Sequence, residues 1–406
     1  MAAKPRIALI GGGIGGLVSA IALRERGFGP VVFEQAGELK EVGAGIQITP
    51  NSTKILRAIG LEDAVRRHGF EPGFMLTRDM TTGEILFRTQ AKGAMAERFG
   101  AGWFQIHRAD LLEILTAALD GTDIRLNARC VGIEPVEDGA IVEISGGERE
   151  RFDVVVGCDG IHSMVRAILH GEQNVHFTGN MCWRALIPVN ALPENHLEPV
   201  MNYWMCRRGH IVAYFVRGGT LVNLVAVIET DSWVEESWSL EGRREDMLSA
   251  FPKAYRDLRV LLERVERCFK WGLFDRDPFP RWGRGRVTLL GDAAHPMLPF
   301  LSQGAASAIE DGYVLARELA RAPLDADAAL AAYETERRPR TARIQLAARA
   351  QGKIFHLHSP WARLKRVLGL DRFEKPKADL LSKDWIYSYD PIASYQEKGR
   401  SCRRAL

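Results

Sequence analysis

Residues 6–34 read RIALIGGGIGGLVSAIALRERGFGPVVFE. A short apolar run, Arg6 to Ile10, meets a loop in which Gly11, Gly13 and Gly16 spell G-x-G-x-x-G, and Leu17 to Arg26 carry a helical pattern that Gly27 ends. A second β-branched run, Val31 to Phe33, stops at Glu34. Strand, glycine loop, helix and strand in this order begin an open parallel sheet that binds a dinucleotide. Each glycine has its own reason. Gly11 permits the tight turn, Gly13 lets a pyrophosphate approach the backbone, and Gly16 lets helix and strand pack closely. The helix N-terminus offers unpaired N–H groups to phosphates, and Glu34 stands where a carboxylate meets a ribose hydroxyl. Taken alone, the loop also reads as a glycine-rich turn without a ligand.

Two distant stretches repeat the form. RFDVVVGCDGIHSMVR, residues 151–166, is an apolar strand ending at Cys158, Asp159 and Gly160, with a helix start at Ser163. VTLLGDAAHPMLPFLSQGA, residues 287–305, is a buried strand stopping at Gly291 and Asp292, then a proline-punctuated loop, then a helix. Ligands of open α/β sheets bind off the carboxyl ends of strands, which makes Asp159 and Asp292 ligand candidates. A helix N-cap is the structural alternative for each. The last helix places Ile309, Tyr313, Ala316 and Ala320 on one apolar stripe, read as core, and His295 reads as a group that structures its loop.

Composition bounds the rest. A chain of 406 residues, 46% hydrophobic and 26% charged, has room for two domains or one large one. Its net charge of +3 has no concentrated basic face, so no nucleic-acid partner is expected. Six widely spaced cysteines without a C-x-x-C suit neither a zinc site nor a disulfide framework; reduced thiols, no metal and a cytoplasmic location are expected. The apolar stretch Ile7 to Leu23 is broken by glycines and is not read as a signal peptide, and no membrane span is expected.

Between about Val175 and Ile228 the pattern turns to β-branched and aromatic strands, CWRALIPV, VMNYWMC, HIVAYFV and TLVNLVAVI, which read as a mostly antiparallel substrate sheet. Alternation along HIVAYFV puts His210, Val212, Tyr214 and Val216 on one face and Ile211, Ala213 and Phe215 on the other. If the first face lines a cavity, His210 and Tyr214 are polar groups in an apolar wall, each able to bond a phenol or carboxylate. Arg184 in the first strand reads as a clamp for a carboxylate or as a structural ion-pair partner.

With its three strand-end motifs in this order, the chain from about Arg6 to about Arg340 resembles the single-component FAD-dependent aromatic hydroxylases, the family of salicylate hydroxylase and 6-hydroxynicotinate 3-monooxygenase. The resemblance implies that Gly11, Gly13, Gly16 and Glu34 hold the ADP half of FAD. It places Arg108 of HRADL near the ribityl and phosphate portion, Asp159 against both FAD and the pyridine nucleotide, and Asp292 on the ribityl chain. Gly43 and Gly45 of EVGAGIQITPN resemble the family's flavin-contacting segment, and Gln303, Gly304 and Ala305 begin a helix whose N–H groups face the flavin pyrimidine edge. No second glycine fingerprint is present, so NADH or NADPH is expected to dock transiently as co-substrate.

In family members that act on 6-hydroxynicotinate, the corresponding strand carries a His and a Tyr at the spacing of His210 and Tyr214. Two positions depart from that pattern. Gln47 stands where a histidine is expected, and Phe300 where a polar group is expected after Pro299, which makes the pocket less polar. The expected substrate contacts are Gln47, Arg184, Met201 and Phe300, with His210 and Tyr214 as catalytic groups.

The fold class implied is α/β: a Rossmann-type FAD-binding domain over residues 1–174 and 270–340, an interleaved antiparallel substrate domain over 175–269, and a C-terminal helix and tail over 341–406. The helical pattern runs to about Leu370, and the tail Asp384 to Gln396 is expected to pack on the catalytic domain or on another subunit of a homodimer, with a monomer as the alternative. The reaction implied is reduction of FAD by NAD(P)H, capture of O₂ as the flavin C4a-hydroperoxide, and hydroxylation of a small hydroxylated aromatic acid, with decarboxylation as an option. A salicylate-like acid is favoured. His210 or Tyr214 assists phenol deprotonation. Two other readings share the cofactor motifs: an isoprenoid-type flavoprotein reductase or epoxidase, and an interaction protein switched by flavin redox state.

Overall fold

The run Ile7–Ile10 is the middle strand of a five-stranded sheet, flanked on one side by Val154–Gly157 and Val287–Leu289 and on the other by Pro30–Phe33 and Asp123–Arg125, all parallel. The computed structural model describes residues 4–39, 44–172, 175–231, 240–356 and 383–393. Strands buried on both faces read as unbroken apolar runs, which is why Ile7, Ala8, Leu9 and Val154 to Val156 show no accessible surface. The helices Ile14–Glu25 and Gly304–Arg321 pack on each other beside this sheet and share one hydrophobic core with it. The second helix is buried almost all round, from Ala306 to Leu319; Ile309, Tyr313 and Ala316 lie in the core as expected, whereas Ala320 is exposed.

An eight-stranded sheet forms the second layer. Its order is Glu241–Gly242, Cys268–Asp275, His176–Pro188, Leu221–Glu229, Gly209–Val216, Met201–Cys206, Phe74–Asp79 and Ile85–Gln90. Every pairing is antiparallel except that of Met201–Cys206 with Phe74–Asp79. Residues 74–90 fall in sequence within the segment expected to bind FAD, yet they extend the substrate sheet. The reason is edge pairing: Met201–Cys206 bonds the Gly209 strand on one side and leaves its other side open to any strand of matching length.

Ile211, Ala213 and Phe215 point to the far face of this sheet, into a core closed by Met247 of the helix Arg244–Ala250 and by Leu258, Leu261 and Leu262 of the helix Arg256–Glu263. The near face looks toward the parallel sheet. A three-stranded meander, Cys130–Val136, Gly139–Ile144 and Arg149–Phe152, and the pair Gly45–Ile48 with Phe104–His107 complete the strands.

The long helix Ala326–Phe355 follows; the rest of the expected helical stretch, to about Leu370, lies outside the described residues. Of the tail, the described residues pack on the same chain. The Tyr387, Ser388 and Tyr389 carbonyls accept from Lys54 Nζ at 3.2–3.3 Å, and those of Trp385 and Ile386 accept from Arg340. Among the described residues, no helix is long and apolar enough to cross a membrane, and no cluster of three or more His, Cys, Asp or Glu is arranged to hold a metal.

Candidate active site

Parallel register decides where the site forms. Ile10 pairs with Gly157 and Gly157 with Leu289, so the loops leaving these three strands emerge side by side. Asp159 and Asp292 thereby join Gly11 at one sheet edge, and a single cavity of about 1110 Å³ opens there. Gly11, Gly13, Glu34, Arg108, Asp159 and Asp292 line it, as do Gly304 and Ala305.

Gly11 has φ +116°, and a Cβ there would stand 2.5 Å from the Cys158 carbonyl oxygen. At Gly16 a Cβ would meet the Gly11 carbonyl oxygen at 2.1 Å, the close helix–strand approach expected of it; at Gly13 a Cβ would meet nothing within 4 Å. The Glu34 carboxylate is aimed by two backbone donors, Oε2 accepting from Gly12 N–H at 2.7 Å and Oε1 from Ala36 N–H at 2.8 Å. Its remaining lone pairs suit ribose hydroxyls.

Asp159 serves its helix as well as the cavity: Oδ1 accepts from Ser163 Oγ at 2.5 Å and Oδ2 from Val165 N–H at 3.0 Å, at the start of Met164–His170. Burial pushes its carboxyl above the ordinary range, and the Ser163 and backbone hydrogen bonds pull it back.

Asp292 sits in a turn started by Gly291 at the floor of the cavity, to which its side chain is exposed. Burial raises its pKa, while His295 and Arg108 lower it. The turn is locked from behind. Asp311 Oδ2 accepts from Gly291 N–H at 3.0 Å and contacts His295 Nε2 at 2.5 Å, which gives His295 the loop-structuring role read from sequence. Arg337 pairs with both Asp311 and Glu310 at 2.6 Å, and Glu310 accepts from Asn51, which also reaches Gln303 at 3.0 Å. This buried network fixes the start of the Gly304 helix, which has no side-chain cap, so its first N–H groups stay free to meet a ligand.

The near face of the eight-stranded sheet supplies the other wall, with Arg184, Tyr203, His210, Val212 and Tyr214 lining the same cavity. The face read from strand alternation is therefore the cavity face. Burial holds the His210 pKa well below that of ordinary imidazole, with His356 adding to the effect, and raises that of Tyr214 against a small opposing pull from Arg184. His210 is thus a neutral ring and Tyr214 a protonated phenol.

Arg184 stacks on Trp271 at 4.3 Å and donates to the Gly45 carbonyl at 3.1 Å. Gly45 N–H donates to Asn223 Oδ1 at 2.7 Å, and a Cβ on Gly45 would come within 2.8 Å of both Asn223 and the Tyr214 ring. Glycine is required there because the loop is clamped on the sheet. Gly43 lies outside the described residues.

Gln47 and Phe300 both line the cavity, and the buried Gln47 Oε1 has no hydrogen-bond partner among the described residues. Met201 is not brought to the cavity wall. It is fully buried in an apolar cluster with Val212, Tyr214 and Val216, because it stands at the start of its strand, off the cavity. Sequence reading missed Asn223, Tyr203 and His356. The first had a signal, a lone polar residue on the same strand face as Val225 and Val227; His356, at the end of a helix, had none.

The donor set fits FAD: a glycine turn opening on the cavity, an acid for a ribose, a carboxylate at Asp292 for a polyol chain, and an uncapped helix N-terminus. Asp292→Ala is expected to weaken FAD binding by about 10- to 10²-fold, the worth of hydrogen bonds to a charged group, as read by flavin fluorescence titration. Unchanged affinity would remove Asp292 from the cofactor site.

Comparison with known proteins agrees with this geometry. Residues 4–348 match the family model described as FAD binding domain. The chain is 39% identical over 395 residues to a 3-amino-4-hydroxybenzoate 2-monooxygenase of Streptomyces platensis, covering 96% of this chain and 98% of that one. It is 33% identical over 407 residues to the 6-hydroxynicotinate 3-monooxygenase of Bordetella bronchiseptica, covering 98% and 99%. A salicylate hydroxylase solved as its substrate complex superposes with a TM-score of 0.81 at 26% identity, covering 95% of this chain and 96% of that one. Sequence, fold and site together establish that the chain belongs to the FAD binding domain family, among relatives that are aromatic-ring monooxygenases.

Proposed function

We propose that this FAD-dependent aromatic-ring monooxygenase hydroxylates a benzoic acid carrying an ortho or para hydroxyl or amino group, with NADH or NADPH and O₂ as co-substrates. The observation that carries the reading is one wall of the cavity, where Arg184, His210 and Tyr214 are polar groups among Val212, Val225, Val227 and Phe300. The substrates in the relatives' names, aminohydroxybenzoate and hydroxynicotinate, are hydroxylated aromatic acids, which supports the class. The apolar Phe300 favours a benzene ring over a pyridine, and a salicylate-like acid fits, with decarboxylation following if the hydroxyl enters at the carboxyl-bearing carbon.

Each polar group has a separate task. The Arg184 guanidinium, 4.3 Å from the centre of the Trp271 ring, lines the cavity and is the cation of this wall suited to a substrate carboxylate. His210, kept neutral by burial, accepts the phenol proton, and Tyr214, kept protonated and four residues along the same strand, donates to a second polar group of the substrate. Phenolate formation raises the electron density of the ring that is attacked. FAD held there would supply the oxygen-activating chemistry, and the apolar wall of Val212, Val225, Val227 and Phe300 excludes water from the site. Cytoplasmic residence accords with a nicotinamide reductant and with the free state of the described cysteines.

The test is a panel of hydroxybenzoates, aminohydroxybenzoates, hydroxynicotinates and plain benzoate, followed by NADH oxidation and product analysis. Stimulation by the phenolic or amino acids, with one hydroxyl added per NADH, is expected. Fast oxidation without any aromatic, or stimulation by isoprenoids alone, would overturn the reading.

A further inference from the structure

We propose that His356 and Glu229 form a proton relay with His210 that leads from the substrate wall to a second cavity and fixes which nitrogen of His210 faces the substrate. The inference rests on the reading of His210 as the base for the substrate phenol. His210 Nδ1 lies 3.1 Å from His356 Nε2, and His356 Nδ1 lies 2.8 Å from Glu229 Oε1. Both rings are buried, at 2% exposure each, whereas the Glu229 side chain is 20% exposed.

Topology makes the chain of contacts. His210 pairs with Val227 across the antiparallel register, which brings Glu229, two residues on along the same strand face, to the same end of the sheet. His356 caps the helix Ala326–Phe355, and its carbonyl accepts from Arg208 N–H at 3.0 Å, tying that helix end to the turn before His210. His210 lines the large cavity; Glu229 and His356 line a separate one of about 750 Å³.

The acid end dictates the protons. An ionised carboxylate only accepts, so His356 carries its proton on Nδ1 and a lone pair on Nε2. His210 must then donate through Nδ1, which leaves its own lone pair on Nε2 of a ring that lines the large cavity. A proton leaving the phenol joins His210 Nε2. The Nδ1 proton of His210 moves to His356 Nε2, and the Nδ1 proton of His356 moves to Glu229. No buried imidazolium persists, no electrons are exchanged, and Glu229 sheds the proton into the second cavity. Run inward, the same transfers protonate the product phenolate and restore both tautomers.

The charged groups facing this end of the relay are Arg208, which donates to Glu229 at 3.2 Å, Asp231, and Arg349 and Lys353 on the helix of His356, with Asp275 and Asp277 holding Arg349. The Arg208 guanidinium binds Oε2 of the same carboxylate whose Oε1 meets His356 Nδ1, so the acid presents acceptors on both sides.

The experiment follows protons in the oxidised, FAD-loaded enzyme, without turnover. A phenolic acid active in the panel above is mixed with enzyme in weak buffer, and an indicator dye reports proton release while absorbance reports bound phenolate. Glu229→Gln and His356→Gln are expected to keep FAD and to slow both signals by about 10²-fold, the scale of losing an oriented base. Wild-type rates in both variants, with His210→Gln blocked, would overturn the relay and leave His210 as the base. Wild-type rates in His210→Gln as well would remove the base and the relay together. In the unsubstituted protein, ¹⁵N spectra are expected to show both rings as the Nδ1–H tautomer; Nε2–H on His210 overturns the relay without any variant.

Discussion

His210→Gln is expected to lower turnover by about 10²- to 10⁴-fold, the usual reach of general-base assistance, with FAD affinity unchanged. The two effects separate because His210 stands on the sheet wall, whereas the groups assigned to the cofactor are carried by the strand-end loops opposite. Glutamine keeps a polar group beside His356 but has no lone-pair nitrogen to take a proton. The ring also packs against Phe355 at 4.8 Å and Phe300 at 5.4 Å, so a thermal melt of the variant belongs beside the assay. A stable, flavin-loaded variant with wild-type turnover and full coupling of NADH to product would take His210 out of the chemistry and leave Arg184 as the main substrate contact.

Arg337→Leu is expected to destabilise the fold by about 3–5 kcal/mol, the loss associated with breaking a buried ion pair from one side. Arg337, Glu310 and Asp311 all have no accessible side-chain surface, and the guanidinium pairs with each acid at 2.6 Å. Leucine there leaves two carboxylates facing each other without their shared cation. Burial alone would raise the Asp311 pKa, but His295 and Arg337 outweigh it and hold the group at about 2. A depressed carboxyl contributes stability that is present above its unfolded value, about 3.9, and is lost as pH falls through the folded value. The gap between wild type and variant in denaturant titrations is therefore widest near neutrality and closes as pH falls from about 4 toward 2. A difference below about 1 kcal/mol at neutral pH would show that the pairs add little beyond a surface contact. FAD binding is expected to weaken in the same variant, since Asp311 also holds the Gly291 N–H beneath Asp292.

The sites that sequence made legible share a local cause. A tight turn with positive φ at Gly11 and a helix start after a strand are constraints that a short stretch satisfies by itself, so the loops at Gly11, Asp159 and Asp292 declare themselves. The alternation of HIVAYFV likewise assigns a face to His210 and Tyr214, since side chains on a strand alternate with a period of two. Sequence reading stopped where partners are remote. Met201 obeys the same alternation as Tyr203, yet only Tyr203 lines the cavity. Position along the strand relative to the opposite wall decides that, and periodicity carries no information about it. Gly45 lines the cavity as well, and what sequence did not show is its second constraint, the close contact with Asn223 and Tyr214 on the sheet.

By itself, then, the sequence determined a parallel sheet with ligand loops at three strand ends, an antiparallel sheet with a polar pair on one face, and the family pattern joining them. The tertiary structure alone decided that Ile10, Gly157 and Leu289 lie in register, so that Asp292 meets the glycine loop in one cavity. It also decided that residues 74–90 extend the second sheet, and that His356 closes on His210 from the end of a helix. The physical reason is common to all three. Backbone hydrogen bonds are the same for every residue, so which strand or helix end pairs with which is set by side-chain packing between segments far apart in the chain.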